Sequence, residues 1–456
     1  MSAWQRQLTV PQFTVVSGLL VIAIGTLLLA TPLCSGPSVD LWEALFTATS
    51  AITVTGLSII DVGTELTFFG QLVLAVLIIT GGLGLMAIST FLQGFVQGRT
   101  GLRQRIDQGR TLDQFGVGGV GSTFRAIVIS GGVLMLIGTV LLYAFGFTDI
   151  SNPGERLWAA MFHSISAFNN AGFSLWAGSL EAYQSNAVVC AVVAALVIAG
   201  GIGWRVLSDL WIHRRSPLEW RRLSLQSRVV LRSSALLIVA GTLGLLFTER
   251  LAPAGVVGGL PLLQKVGVSL FQVISARTAG FVSVPLSLDT ISHAGLFLLI
   301  LLMFIGASPG GTGGGIKTTT FAVLLCTTRS TLEDRTEVVI NRRRIPGKQV
   351  LRAVGITLAS AGVVVLMTML LGLGDTEAGV LGDEDFTFLE KLFTCVSAFA
   401  SVGFDLGVTA RLDRWGQLVL LVGMFIGRLG ILLLLSALFG RRPPSRVRYP
   451  QEELIL

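Results

Sequence analysis

The sequence predicts an all-α, polytopic membrane protein in which four similar repeats surround a central pore. Three observations support this fold class: 52% of the 456 residues are hydrophobic, only 13% are charged, and four short strings ending in glycine interrupt the apolar sequence. A soluble domain carries roughly 25% charged residues, so the composition excludes solvated globular and disordered classes. The mean hydropathy of +0.77 agrees with a chain made largely of membrane helices.

Eight apolar segments are long enough to cross a bilayer, whose hydrocarbon core requires about 20 residues of helix. The first of them lacks the short apolar core and cleavage site of a secretory signal, which favours a membrane span. The eight predicted spans are 10–31, 66–97, 123–147, 183–212, 226–248, 291–326, 350–373 and 414–440. An even number of spans places both termini on one side of the membrane.

The distribution of charge predicts the orientation. Most of the 33 basic residues fall on the side of the termini, and most of the 26 acidic residues fall on the opposite side. Because Lys and Arg accumulate in cytoplasmic loops, both termini are predicted to be cytoplasmic. The acidic outer face is expected to attract cations. The net charge of +7 therefore reflects membrane topology and does not indicate nucleic-acid binding.

A short segment that cannot span the bilayer separates the two spans of each pair. Its length of about 13 residues suits a re-entrant helix, and it ends in a Ser-Ala string that reaches a glycine followed by Leu or Phe. The short segments are 40–52, 154–168, 262–276 and 386–399, and the glycines are Gly56, Gly172, Gly280 and Gly403. This recurrence is an internal repeat. The predicted units are repeats 1–98, 99–215, 216–345 and 346–440, followed by a cytoplasmic tail, 441–456.

The repeats are predicted to be parallel, because each contains two spans and therefore starts on the same side. Parallel repeats are related by an axis along the membrane normal. Extended backbone at membrane depth is tolerated where it lines a watery path, and its carbonyls can replace the water shell of an ion. Glycine suits such a ring because it permits positive φ and has no side chain. Helix packing alone would not explain the shared Ser-Ala and Leu/Phe flanks.

These strings resemble the four filter segments of the Trk/Ktr/HKT superfamily of potassium transporters, and the resemblance covers essentially the whole chain. The chain is most similar to the bacterial KtrB branch, which lacks two N-terminal spans of the TrkH branch. Glycine rather than serine in the first string implies selectivity for potassium. The resemblance assigns potassium binding to four filter strings: Thr53, Val54, Thr55, Gly56; Asn169, Asn170, Ala171, Gly172; Arg277, Thr278, Ala279, Gly280; and Ala400, Ser401, Val402, Gly403.

The same resemblance implies a potassium-uptake subunit of the bacterial inner membrane, and a homodimer regulated by a cytosolic nucleotide-binding ring similar to KtrA. Potassium is the transported ion, sodium is an activator in many such systems, and no organic cofactor is expected on this chain. No residue of the sequence itself specifies sodium dependence. Anionic lipid head groups explain the basic segments 214–232 and 329–352, and docking of the regulatory ring is the alternative.

The sixth predicted span is too long for one straight helix, and Pro309 together with several glycines would break it. A phosphate-binding loop is a weaker alternative, because Ile316 separates Gly315 from Lys317 and no strand precedes the motif. The family has an intramembrane gate at this place, so residues 306–317 are predicted to be a gate loop. The candidate gate residues are Gly310, Gly311, Thr312, Gly313, Gly314, Gly315, Lys317 and Arg428.

Two cations inside the predicted spans stand where other repeats have glycine. The second spans share a Gly-Gly-Leu/Ile-Gly frame, in which Lys317 replaces the last glycine and Arg428 replaces the second. A charge at this depth costs roughly 2.5–3.5 kcal/mol on insertion scales and is usually functional. Arg428 is expected to bind the gate loop and oppose inward-moving cations; the alternative is a snorkelling or structurally paired arginine. Lys317 belongs either to the gate or to the cytosolic mouth.

The sequence gives less support to two other classes of function. A sodium-selective or secondary transporter remains the alternative, but secondary transporters often use inverted repeats and ionisable residues at the bilayer midplane. Here the predicted repeats are parallel and no Asp or Glu falls in mid-span. An intramembrane enzyme is disfavoured because the spans contain no His/Asp/Glu cluster and no pairing of a nucleophile with a base. For Arg277, in the third string, the resemblance implies that the side chain bonds outward and holds the pore helix; shaping the local field is the alternative.

Overall fold

The computed structural model describes residues 10–36, 39–84, 119–213, 222–252, 257–335, 337–378, 386–431 and 433–435. Parts of four sequence predictions lie outside these residues: the end of the second span, the linker after the fourth span, the end of the eighth span and the tail 441–456. The regular secondary structure of the described residues is helical apart from one short β-hairpin.

The first repeat consists of three helices, α1 (Val10–Leu29), α2 (Leu41–Thr53) and α3 (Phe68–Ile79). A capping box starts α2: the Asp40 side chain accepts the N–H of Glu43, and the Glu43 side chain accepts the N–H of Asp40. The short helix α2 packs between α1 and α3. A single π-helical turn, Thr80–Gly84, follows α3, so the helix changes its winding at the glycine frame.

The second repeat consists of α4 (Gly119–Leu141), α5 (Pro153–Asn169), α6 (Ala187–Ile202) and α7 (Trp204–Ile212). The sequence predicted a span over 183–212, and the structure shows that this segment is sharply bent rather than one straight helix. The axes of α6 and α7 meet at 99°. The bend falls at Gly203, whose φ of 89° is incompatible with a right-handed helix.

The third repeat consists of α8 (Leu225–Leu251), α9 (Leu262–Ala276), α10 (His293–Phe304) and α11 (Thr318–Leu332). Its second span is broken where the sequence predicted, and the gate loop lies wholly between α10 and α11. After α11 the chain forms a hairpin of β1 (Val339–Ile340) and β2 (Arg343–Arg344). The two turn residues of this hairpin both have positive φ, as a type I′ turn requires.

The fourth repeat consists of α12 (Gly347–Ala378), α13 (Phe388–Ala400) and α14 (Arg414–Leu429). A second capping box, between Thr387 and Glu390, starts α13. The last helix ends at Gly430, which has a φ of 78°. The sequence analysis expected an unbroken eighth span, but Gly430 interrupts it for the same reason that Gly203 bends the fourth.

By length and composition, four described helices are able to cross a bilayer, or five if the bent pair α6–α7 is one span. The four are the long first helices of the repeats, α1, α4, α8 and α12. Among the described residues the second helices fall short of that length: α6 bends at Gly203, α10 ends before the loop, α14 ends before Gly430, and α3 with its π-helical turn is described only as far as Gly84. The chain is therefore a multi-pass helical membrane protein, whereas the count of eight spans stays a prediction.

The long first helices expose apolar side chains on their outer faces. Leu27, Leu136, Leu243 and Leu358 are each more than 60% exposed. Most of the fully buried aromatic side chains instead lie on or just after the short helices, as Phe46, Phe162 and Phe393 illustrate with no exposed surface. An apolar exterior around a packed centre fits surroundings of lipid. The short helices and the strings that follow them therefore form the interior.

Candidate functional site

The four filter strings adopt one backbone conformation although their side chains differ. In each, the second residue lies in the left-handed region and the glycine also has a positive φ. The φ values are 54°, 58°, 73° and 52° at Val54, Asn170, Thr278 and Ser401, and 93°, 70°, 76° and 92° at Gly56, Gly172, Gly280 and Gly403. Because two of the four residues in each string are left-handed, the chain turns sharply away from the end of each short helix.

The serine of each Ser-Ala pair closes this turn. The Ser50 carbonyl accepts the N–H of Thr55 at 2.9 Å, and the Ser50 hydroxyl accepts the N–H of Gly56 at 3.0 Å. In the fourth repeat the hydroxyl of Ser397 accepts the N–H of Gly403 at 3.1 Å. Because N–H and C=O point in opposite directions across a trans peptide, the carbonyl before each of these glycines is turned away from the short helix.

The four glycines form a closed ring, here called the glycine ring. A Cβ atom added to any one of them would lie 2.2–2.9 Å from the carbonyl oxygen that precedes the glycine of the next repeat. The pairs are Gly56 with Ala171, Gly172 with Ala279, Gly280 with Val402, and Gly403 with Thr55. The contacts run through repeats 1, 2, 3 and 4 and return to 1. The steric contact thus requires glycine at each of the four positions, and the positive φ favours it.

A vestibule with a volume of about 520 Å³ adjoins the glycine ring, and all four glycines line it. Three carboxylate residues, Asp61, Glu181 and Asp405, are also in its wall. Burial raises the pKa of Glu181. Burial likewise raises the pKa of Asp405, although backbone N–H groups that donate to this carboxylate oppose the change. Acidic walls around a confined entrance increase the local concentration of cations.

The gate loop is hydrogen-bonded to the bend between α6 and α7. The N–H groups of Ser308 and Thr312 donate to the carbonyls of Gly201 and Gly200 at 3.0 and 3.1 Å, and the N–H of Trp204 donates to Gly310 at 3.2 Å. Each helix break leaves backbone groups without helical partners. The two helix breaks supply hydrogen-bond partners for each other's backbone groups, which explains how irregular backbone persists in the interior.

Three consecutive loop residues lie against three filter strings. The Thr312 hydroxyl is 3.1 Å from Oδ1 of Asn170 in the second string. A Cβ on Gly313 would be 1.9 Å from Oγ1 of Thr278 in the third string, and one on Gly314 would be 2.6 Å from the carbonyl of Ala400 in the fourth. These contacts involve residues before the glycines, so the loop and the vestibule lie on opposite sides of the ring.

Both cations of the predicted gate, Arg428 and Lys317, hold carbonyl oxygens of the loop or its neighbours. Arg428 donates through Nη1 to the carbonyl of Thr312 and through Nη2 to that of Gly81 at 2.9 Å. Nζ of Lys317 donates to the carbonyl of Gly313 at 2.9 Å. Lys317 is partly buried against the loop, which favours the gate over the cytosolic mouth. Arg428 joins α3, the loop and α14.

Arg277 belongs to the third filter string, but its guanidinium is directed outward. Nη2 lies 3.3 Å from the carbonyl of Gly306, at the start of the gate loop, and 3.4 Å from Oγ of Ser234 in α8. The side chain therefore ties its string to α8 and the loop.

The sequence analysis used the glycine frame to align the repeats but missed its packing role. A Cβ on Gly81, Gly200 or Gly427 would lie 2.2, 1.9 or 1.7 Å from the carbonyl of Ile52, Phe168 or Phe399, respectively. The first glycine of the frame thus lets the second helix touch a carbonyl at the end of the short helix. The sequence did contain a signal for this packing role, because the frame recurs in every repeat that has a predicted short helix.

Comparison with known proteins places this architecture in a family. The family model for TrkH, described as a cation transport protein, matches residues 6–440. The Ktr system potassium uptake protein B of Bacillus subtilis is 35% identical over 99% of this chain and 97% of its own. The potassium/sodium uptake protein NtpJ of Enterococcus hirae is 33% identical over 99% of this chain and 98% of its own.

A solved structure agrees with the fold. The potassium transporter TrkH from Vibrio parahaemolyticus superimposes with a TM-score of 0.72 over 93% of this chain and 83% of its own, at 21% identity. The predicted resemblance is confirmed, and the family consists of transporters rather than enzymes. On the family match and the nearly full-length similarity to Ktr proteins, this chain belongs to the TrkH family of cation transport proteins, within the Trk/Ktr superfamily, and is similar to KtrB.

Proposed function

We propose that this chain is the potassium-translocating subunit of a Ktr-type uptake system in the bacterial inner membrane. The observation that carries the proposal is the closed glycine ring, in which each glycine faces the carbonyl of the next string. A ring of backbone carbonyls from four filter strings can replace the water shell of a monovalent cation. The acidic vestibule supplies cations to that ring.

The ring favours potassium because all four positions are glycine and their φ values are similar. A side chain at one position would displace the neighbouring carbonyl and make the four sides unequal. Sodium enters the proposal as an activator, since one relative is named a potassium/sodium uptake protein. A sodium-selective pathway or a secondary transporter is the alternative that the experiment below separates.

The gate loop, residues 306–317, is proposed to close the pathway on the side of the ring opposite the vestibule. Support comes from its contacts with three filter strings and from Arg428, which binds its backbone. A fixed positive charge beside the path would oppose an inward-moving cation. Lys317, the last residue of the loop, donates to the carbonyl of Gly313 and is assigned the same function.

The assembly is proposed to be a homodimer with cytoplasmic termini, regulated by a cytosolic nucleotide-binding ring similar to KtrA. Support for a multi-component system comes from the relatives, which are named as proteins of the Ktr system. The hairpin after α11 lies on the predicted cytoplasmic side and exposes the basic side chains of residues 342–344. Regulatory partners and anionic lipid are both able to bind such a surface.

Uptake of potassium and sodium into a strain that lacks its own potassium uptake tests this proposal, with and without a cytosolic partner. Potassium uptake that sodium does not match is the expected result. Equal or exclusive sodium uptake would overturn potassium selectivity. A second measurement uses the purified protein in liposomes held at a fixed membrane potential. If a proton uncoupler abolishes uptake there, transport is coupled to protons, which would favour the secondary transporter.

A further inference from the structure

Thr312 is a fully buried residue of the gate loop whose three polar groups contact three different elements. Its N–H donates to Gly200 in α6, and its carbonyl accepts from Arg428 in α14. Its hydroxyl lies 3.1 Å from Oδ1 of Asn170 and 3.3 Å from the carbonyl of Phe168. Most residue types could supply the two backbone contacts. The contact with the second filter string is therefore the one that requires the threonine side chain.

Asn170 transmits this contact to the glycine ring. It is the left-handed residue that ends α5, and the next residue, Ala171, presents its carbonyl to Gly56. Nδ2 of Asn170 lies 3.4 Å from Oγ1 of Thr278 in the third string. The Thr312 hydroxyl donates to Oδ1 and so fixes the orientation of the amide, with its nitrogen toward the third string. One chain of hydrogen bonds thus joins the loop to two neighbouring strings.

The other strings lack an equivalent link. Val54 occupies this position in the first string and has no polar side-chain atom. Oγ of Ser401, in the fourth string, has no hydrogen-bond partner among the described residues. Within the described chain, then, the second string is the one whose left-handed residue is hydrogen-bonded by a gate-loop side chain. Movement of the loop would withdraw a donor from one side of the ring.

We propose that Thr312 is a positioning residue for the filter, so that the position of the gate loop sets the selectivity of the ring as well as access to it. This inference rests on the proposed function and adds a coupling to it. Oδ1 of Asn170 is buried, and losing the hydrogen bond from the Thr312 hydroxyl leaves this acceptor unsatisfied, which costs free energy. Departure of the loop therefore loosens the second and third strings.

Thr312→Val provides the test, because valine keeps the shape and both backbone contacts but removes the hydroxyl. The variant and wild type are reconstituted in liposomes, and potassium uptake is measured against competing sodium. The potassium-to-sodium ratio should fall by roughly two- to tenfold, the factor for one buried neutral hydrogen bond. Thr312→Ser keeps the hydroxyl but loses the methyl group, and should retain the wild-type ratio.

Thr318→Val is the matched control at the other end of the loop. Thr318 is also fully buried, and its hydroxyl lies 2.8 Å from Oγ of Ser308; its described side-chain contact is not with a filter string. This variant should change total flux and leave the ratio unaltered. An equal fall in the ratio for Thr318→Val and Thr312→Val would mean that general loosening of the loop is responsible, and would overturn the inference.

A double variant identifies the partner. In an Asn170→Ala background, Thr312→Val should cause no further fall in the ratio, whereas independent effects would exclude the hydrogen bond as the link. A wild type without potassium preference overturns the proposed function. A selective wild type with an unchanged ratio in folded Thr312→Val overturns this inference alone. Thr312→Ala, which leaves space rather than a clash, replaces the valine variant if the latter does not elute as a folded protein.

Discussion

The third repeat differs from the other three just after its short helix, yet its filter string has the same final conformation. Its string is one residue shorter between Ser275 and Gly280. The Ser275 hydroxyl donates to the carbonyl of Phe281 at 2.6 Å, whereas the serines of the first and fourth repeats accept a glycine N–H. Thr278 and Gly280 nevertheless have φ values of 73° and 76°. Different local bonds therefore produce one ring geometry.

The second helices of the repeats show the opposite behaviour. A single glycine interrupts them in the second and fourth repeats, at Gly203 and Gly430. In the third repeat the whole segment between Phe304 and Thr318 is non-helical. The ring is thus nearly fourfold, while the layer beneath it is strongly asymmetric. Selection of an ion benefits from equal carbonyls on every side, but a closing element needs to come from only one side.

The largest effect is expected from breaking the symmetry of the ring. Gly56→Ser places a side chain at a φ of 93° and about 2.3 Å from the carbonyl of Ala171. A left-handed conformation alone costs a residue other than glycine roughly 1–2 kcal/mol, so the potassium-to-sodium ratio should fall about tenfold or more. Competitive uptake of potassium and sodium measures this ratio.

Gly362→Ser is the control for that substitution. Gly362 is in α12, and a Cβ there meets nothing within 4 Å in the described structure. Its transport should match wild type. An unchanged ratio in well-folded Gly56→Ser protein would show that Gly56 is not a filter residue.

The second prediction perturbs the asymmetric layer. Arg428→Ala removes a positive charge and the contacts that join the loop to α3, and should raise basal flux and lessen dependence on a cytosolic partner. Flux of potassium through the reconstituted protein measures the change. Arg428→Lys separates charge from geometry: it should resemble wild type if charge opposes the ion, and the alanine variant if the paired contacts hold the loop. Unchanged flux in Arg428→Ala would reduce the arginine to a packing residue.

A smaller rise in flux is expected for Lys317→Met. Nζ of Lys317 donates to the carbonyls of Gly313 and Gly314, which precede it closely in the same segment. Methionine keeps most of the length but loses the donor. Because Lys317 braces the loop locally and Arg428 joins it to two helices, the methionine variant should lie between wild type and Arg428→Ala. A larger effect than that of Arg428→Ala would reverse the assigned order of the two cations.

The sequence was sufficient to predict the positions of the four short helices. The predicted segment 262–276 coincides with α9, and the other three differ from the observed helices only at their ends. The length of the apolar segment and the glycine string that follows it are local properties of the sequence, and they are enough to locate a short helix. The bend at Gly203 could not be predicted in the same way, because a glycine inside an apolar helix is also compatible with packing.

The contacts within the site could not be predicted from the sequence and became visible only in the three-dimensional structure. The sequence placed Arg428 and the gate loop in one region by aligning the repeats, and the structure shows which carbonyls the guanidinium contacts. No sequence pattern indicated that Thr312 would meet Asn170, because the two residues come from different repeats and neither stands in a repeated position of the glycine frame. Long-range pairs between unlike residues leave no periodic signal.

The smallest expected effect comes from the serines that close the filter strings. Ser397→Ala leaves the N–H of Gly403 without its acceptor, which costs about 1 kcal/mol, so the potassium-to-sodium ratio should fall several-fold at most. Ser166→Ala is the matched control, since Oγ of Ser166 has no hydrogen-bond partner within the described residues, and it should be neutral. Competitive uptake and the midpoint of thermal unfolding measure both variants.

Ser275→Ala sharpens the comparison between the third repeat and the fourth. Ser275 donates its hydroxyl to Phe281, while the N–H of Gly280 already reaches the Ser275 carbonyl at 3.3 Å. Losing the hydroxyl therefore leaves the glycine N–H bonded, and the ratio should change less than in Ser397→Ala. Equal effects in the third and fourth repeats would mean that the serine hydroxyls act through packing. A graded series, Ser397 above Ser275 above Ser166, would show that the ring depends on the serine hydroxyl where it accepts a glycine N–H, and that the third repeat holds its glycine in a different way.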